Sequence, residues 1–139
     1  DTDIVYGDGF NVNGITTNAD ATVLLVVHSG TGELFRIDIA TRDVERIDLG
    51  GELLPNGDGL ELDGTTAYAI AGDQLVTIEL GDDLRTGTIT DRQTLGDLAF
   101  PTTLALSPDS FIIVNSQLNM TGDNAQPTIP FSLSVLPRP

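Results

Sequence analysis

The chain has no cysteine, no lysine and a single histidine, and no apolar run approaches the ~18 residues of a membrane-spanning helix. Without cysteine there is no disulfide framework, no thiolate metal site and no thiol nucleophile. One histidine, His28, excludes the paired-histidine spacing of zinc hydrolases. Neither a Gly-x-Ser-x-Gly elbow nor a glycine-rich phosphate loop before a helix is present. The six basic residues are all arginine and stand against 21 Asp and Glu, for a net charge of −15. Such a field repels phosphate backbones and anionic membranes, so neither is an expected partner, whereas cations are. A solvated acidic surface on a secreted or salt-adapted protein accounts for the same charge.

What is present is enough for a folded domain: 139 residues, 40% of them hydrophobic, with apolar runs at regular intervals and no long charge block. The sequence opens at Asp1 with neither Met nor an apolar leader, which reads as a processed end. Asn119-Met120-Thr121 matches the N-glycosylation acceptor pattern. Together these lead to the expectation of an extracellular protein, with Asn119 as a candidate glycan site.

Turn signals recur with a period of about 44 residues, the period of four-stranded propeller blades. Asn13-Gly14-Ile15-Thr16, Asp58-Gly59-Leu60-Glu61 and Thr102-Thr103-Leu104-Ala105 begin 45 and then 44 residues apart. Each opens an alternating strand, turns, and leads into a second apolar run at Val23 to Val27, Ala67 to Ala71 or Phe111 to Val114. Alternation predicts a short strand over Thr2 to Tyr6 and then strands at 13–18, 23–28, 33–39 and 44–49. A second set follows at 58–63, 67–71, 74–80 and 87–91, and a third at 102–107, 111–115 and 131–136. Residues 116 to 130 hold Gly122, Asn124, Pro127 and Pro130 and read as a long loop. The fold expected is therefore all-β, a β-propeller of about three four-stranded blades forming half of a six-bladed ring. Residues 1–12 supply an outer strand of a preceding blade, 13–55 and 56–100 two whole blades, and 101–139 a blade lacking its outer strand. Three blades leave two raw ends, so the ring needs a second chain.

Candidate chemistry gathers where the first strands begin. Asn13, Asp58 and Thr102 are the equivalent residues there, and oxygen donors converging on one axis suit calcium, which takes about six to eight oxygen ligands. The pattern assigns Asn13 and Asp58 to the metal and Thr102 to substrate or water. Asn-Gly and Asp-Gly are also ordinary turn dipeptides, which is the simpler reading. The turns after the second strands lie at the same end and bring His28-Ser29, Gly72-Asp73 and Asn115-Ser116 near. A neutral His28 there serves as a general base on water, or is merely a satisfied histidine at a strand end. Asn115 is expected to face substrate, and the 116–130 loop to overhang the site as a lid or to pack on a partner.

The order of Asn13-Gly14-Ile15, Val26-Val27-His28-Ser29-Gly30-Thr31-Gly32-Glu33-Leu34-Phe35-Arg36-Ile37-Asp38, Leu53-Leu54-Pro55-Asn56-Gly57-Asp58-Gly59-Leu60 and Pro101-Thr102-Thr103 resembles one group of six-bladed propellers. It is the C-terminal half of the senescence-marker-protein, gluconolactonase and strictosidine-synthase-like family. The resemblance implies a divalent cation, usually calcium, held by a first-blade Glu and by Asn and Asp from later blades. It implies Lewis-acid hydrolysis of a lactone or ester, with Asn13 as ligand and Asp58 as both ligand and proton acceptor. The family's first-blade Glu has no counterpart in this sequence, so the cation site is expected to be shared. The completing chain is either the N-terminal half of the same precursor or a second copy of this one. Where the enzymes carry a simpler Pro-Asp-Gly, this chain reads Pro55-Asn56-Gly57-Asp58-Gly59. The alternative function is a non-catalytic binding or structural propeller.

Overall fold

The computed structural model describes residues 4–138. Among the described residues, alternating segments and short unbroken apolar runs build eleven strands, and there is no helix. β1 (Val12–Thr17), β2 (Val23–His28), β3 (Leu34–Asp38) and β4 (Val44–Arg46) form sheet I in that order. β5 (Gly57–Asp63), β6 (Thr66–Ala71), β7 (Gln74–Leu80) and β8 (Gly87–Thr94) form sheet II. β9 (Pro101–Leu106), β10 (Ser110–Asn115) and β11 (Ser132–Pro137) form the three-stranded sheet III. All neighbouring strands within a sheet are antiparallel.

The all-β expectation and the grouping of strands into sets of four, four and three are both met. Three details differ. β4 ends at Arg46 because Ile47 and Leu49 turn into the core, while Asp48 bridges Thr86 in parallel and carries the chain from sheet I to sheet II. β8 runs on to Thr94 because its pairing with β7 continues to Gln74. Of the strand expected over Thr2 to Tyr6, Thr2 and Asp3 lie outside the described residues, and residues 4–11 form no strand.

Sheet II lies between the other two. Its Ala67, Ala69 and Ala71 pack with Leu25, Val27 and Leu34 of sheet I, the small alanines leaving room for the branched side chains opposite. Its other face sets Tyr68, Ile70 and Leu75 against Leu104, Phe111 and Ile113 of sheet III. Tyr68 and Phe111 meet edge to face with ring centroids 4.9 Å apart, the arrangement that ring quadrupoles favour. Ile113 is wholly buried in this layer, so Ile113→Ala is expected to lower stability by about 2–5 kcal/mol in urea denaturation.

The inner strands β1, β5 and β9 come closest where glycine is present. A Cβ on Gly14 would stand 1.8 Å from the Asp58 carbonyl oxygen, and one on Gly59 2.4 Å from the Thr103 Cα. Backbone meets backbone at both places, and only hydrogen fits between.

Candidate functional site

Each inner strand carries a β-bulge at the same point of the repeat. Val12 pairs with His28 and Ile15 with Val26, so Asn13 and Gly14 together oppose one residue of β2. Gly57 pairs with Ala71 and Leu60 with Ala69, which puts Asp58 and Gly59 in the second bulge. Pro101 pairs with Asn115 and Leu104 with Ile113, which puts Thr102 and Thr103 in the third. A bulge adds a residue to one strand and re-aims its side chain. The Asn-Gly and Asp-Gly pairs are therefore strand residues, not turn residues, and none of the four has a left-handed backbone. Alternation along the sequence marks the strands but not the bulges, because a bulge has no residue signature beyond the glycine.

At this end of the sheets lies a cavity of about 720 Å³. Asn13 and Asp58 line it, as do Ser29, Gly72 and Asp73 from the neighbouring turns. The walls are tied together within the sheets and, through Ser29, between sheets I and II. Asn13 Nδ2 donates to Ser29 Oγ at 3.2 Å, Ser29 Oγ donates to the Gly57 carbonyl, and the Gly72 amide donates to Asn56 O at 3.2 Å. The Leu95 amide donates to Asp73 O at 2.7 Å, bringing the segment that leads into sheet III onto the rim.

Asp58 is the electrostatic centre. Partial burial raises its carboxyl pKa above the ordinary 3.8, and a hydrogen bond from the Asn13 side chain offsets part of that rise. No basic side chain lines the cavity, while Asp8 and Asp73 do. A raised carboxyl pKa means that the folded chain binds more protons than the unfolded chain between pH 3.8 and the raised value. Stability from this group therefore falls as pH rises through that window, and Glu61, raised by its own burial, has the same sign. Thermal melts from pH 4 upward are expected to show a steeper loss for the native chain than for Asp58→Asn.

The other expected site residues lie elsewhere. His28 is only 3% exposed and is not part of the cavity wall. Its Nδ1 accepts the Thr31 backbone N–H at 3.1 Å, which leaves the proton of a neutral ring on Nε2, an atom that is buried without a partner. Asn115 is 5% exposed and donates from Nδ2 to Ser132 Oγ at 3.0 Å and to Ser134 Oγ at 2.9 Å. It ties β10 to β11 and does not line the cavity, and neither does Thr102.

The loop over 116–131 has no regular structure and is clasped by Gln117, whose Nε2 donates to Thr128 O at 2.9 Å while its Oε1 accepts the Thr128 N–H at 2.7 Å. Leu118 and Asn119 of this loop reach the cavity rim. The sequence reading missed the apolar part of the wall, Phe10, Leu95, Leu98 and Phe100. These residues sit in connecting segments outside any period, where no repeat marks them.

For a hard cation, the Asn13 amide and the Asp58 carboxylate supply oxygen donors of the right kind in adjacent positions. Among the described residues no group of three or more His, Asp or Glu comes together as a cage. The residues present thus fit part of a calcium sphere. No protein-family model matches the chain, and no curated protein matches it.

Proposed function

We propose that this chain is the C-terminal half of a gluconolactonase-like six-bladed propeller, extracellular, acting as a calcium-dependent lactone or ester hydrolase when a second chain completes the ring. The observation that carries the reading is the recurrence of one bulge in three inner strands, with Asn13, Asp58 and Thr102 at equivalent steps. Two filled sheet-to-sheet interfaces built the same way support a ring that continues beyond sheet III.

In this reading Asn13 and Asp58 hold the cation, and the completing chain supplies the remaining donors. When bound, the cation supplies Lewis-acid polarisation of a lactone or ester carbonyl. Asp58 accepts a proton from the attacking water. Asn13, held by Ser29, orients the Asp58 carboxylate. Phe10, Leu98 and Phe100 exclude water from the apolar part of a small substrate. A glycan on Asn119 would stand at the rim and narrow the entrance to small molecules.

A second reading, a propeller that binds a ligand without turning it over, is favoured by the withdrawal of His28 from the cavity. Calorimetry with Ca²⁺ on the complete assembly, followed by assays against simple lactones and aryl esters, separates the two. Saturable calcium binding with metal-dependent hydrolysis is expected. Calcium binding without hydrolysis selects the second reading, and no calcium binding removes the first.

A further inference from the structure

We infer that the cavity beside Asn13 and Asp58 selects a neutral ligand with an apolar body, a lactone or ester bearing an alkyl or aryl group, over a polyhydroxylated or anionic one. Phe10 and Phe100 are the side chains that set this preference. The inference rests on the proposed reading that the cavity takes a lactone or ester, and it uses neither the cation nor turnover.

Exposed apolar residues gather at this cavity from three connecting segments. Phe10 precedes β1, Leu98 and Phe100 lie between β8 and β9, and Leu118 belongs to the loop after β10; all four line the cavity. Phe10 is 75% exposed, Phe100 43% and Leu118 54%. A scattered exposed side chain is ordinary, but several around one concave wall mark a place for an apolar ligand.

The wall is built in advance. Phe100 has a left-handed backbone, φ 58°, which a bulky aromatic residue rarely adopts. Ser116 fixes it there: its backbone N–H and its Oγ both donate to Phe100 O, at 3.1 and 2.8 Å, while the Phe100 N–H donates to Leu98 O at 3.0 Å. The strain does not serve to bury the ring, which stays half exposed; what it secures is a fixed aromatic surface on the cavity wall. The Gln117 N–H donates to Ala99 O at 3.0 Å, which locks the segment of Leu118 to that of Phe100. The segment of Phe10 is stiffened by Asn11. Its Oδ1 accepts the Gly7 N–H, its Nδ2 donates to Gly7 O and Gly9 O, and its carbonyl accepts the Ser29 N–H at 2.9 Å. A wall ordered before the ligand arrives loses little freedom on binding.

The charged groups decide against an anion. Asp8, Asp58 and Asp73 line the cavity and no basic side chain does, so an anion meets repulsion and finds no partner. A polyhydroxylated ring would bring hydroxyls against Phe10, Leu98, Phe100 and Leu118, whose side chains cannot bond them. A neutral lactone with an alkyl tail meets neither penalty, since its one ester group lies with the polar residues and its tail with the apolar ones.

The test uses the whole chain with calcium chelated, so that its result does not depend on cation binding or hydrolysis. The probes are δ-decalactone, glucose and decanoate: a ring with an apolar tail, a polyhydroxylated ring of the same size, and an anion with a similar tail. δ-Decalactone is expected to bind saturably and to shift the amide resonances of Gly72, Leu95, Phe100 and Leu118. Glucose and decanoate are each expected to bind about tenfold more weakly or not at all. Phe10→Ser and Phe100→Asn are each expected to weaken δ-decalactone binding about fivefold or more by removing apolar contact. Asparagine tolerates a left-handed backbone, so Phe100→Asn is expected to melt at or above the native temperature, whereas loss of a residue that served only packing would lower it. Ile39→Asn removes an apolar side chain of like exposure away from the cavity and is expected to leave binding unchanged. Absence of saturable δ-decalactone binding, equal affinity for glucose or decanoate, or a Phe100→Asn variant that melts lower yet binds as tightly overturns the inference. Calcium titration and hydrolysis in the completed assembly are separate measurements. Their failure with selective δ-decalactone binding intact removes the proposed chemistry and keeps this selectivity, and the reverse result removes the selectivity alone.

Discussion

Gly14→Ala is expected to cost about 3 kcal/mol or more, or to prevent folding altogether. Its new methyl group would lie 1.8 Å from the Asp58 carbonyl oxygen, inside any tolerable contact. The obstacle is backbone, so no rotamer change relieves it. Only separation of β1 from β5 does, and that opens the layer where Leu25, Val27 and Leu34 pack on Ala67 and Ala69. Gly7→Ala is the control, since nothing lies within 4 Å of its Cβ, and it is expected to stay within about 0.5 kcal/mol of the native chain. Urea denaturation measures both. A native midpoint in the Gly14 variant would mean that the inner strands do not touch as described.

Asp58→Asn is expected to move function and stability in opposite directions. Removing a partly desolvated charge relieves its burial cost, so the variant is expected to melt at or above the native temperature at neutral pH. On the proposed reading it also removes a charged cation ligand and the proton acceptor. Calcium affinity and hydrolysis in the completed assembly are then expected to fall by about 100-fold or more, beyond the roughly 10- to 100-fold typical of losing a residue that only supports a ligand. Melting curves and calcium titrations on the same preparation read both effects. A variant that loses stability and cation binding together would show Asp58 to be a packing residue instead.

Much of the fold was legible because strands announce themselves with period two and repeats with period 44 to 45. Val23 to Val27 and Ala67 to Ala71 are short unbroken apolar runs bounded by turn residues, so their strands fall within a residue of expectation. The site was legible only in part. Asn13 and Asp58 were found because glycine follows each and the repeat aligns them. Whether His28 and Asn115 line the cavity was not legible, because a strand-end residue points to either face, and one register step decides which. Both ended on buried faces, held by the Thr31 amide and by the Ser132 and Ser134 hydroxyls.

The linear order of residues by itself determined the all-β class, the count of strands in each sheet and the equivalence of Asn13, Asp58 and Thr102, since all three are properties of spacing. Tertiary structure alone decided where the bulges fall, which side chains wall the cavity, and how far Asp58 is withdrawn from water. Those depend on segments distant along the chain meeting in space, as when Phe10, Leu95 and Leu118 come to line the same cavity as Asp58. Desolvation is a property of that gathering, and no local pattern of residues encodes it.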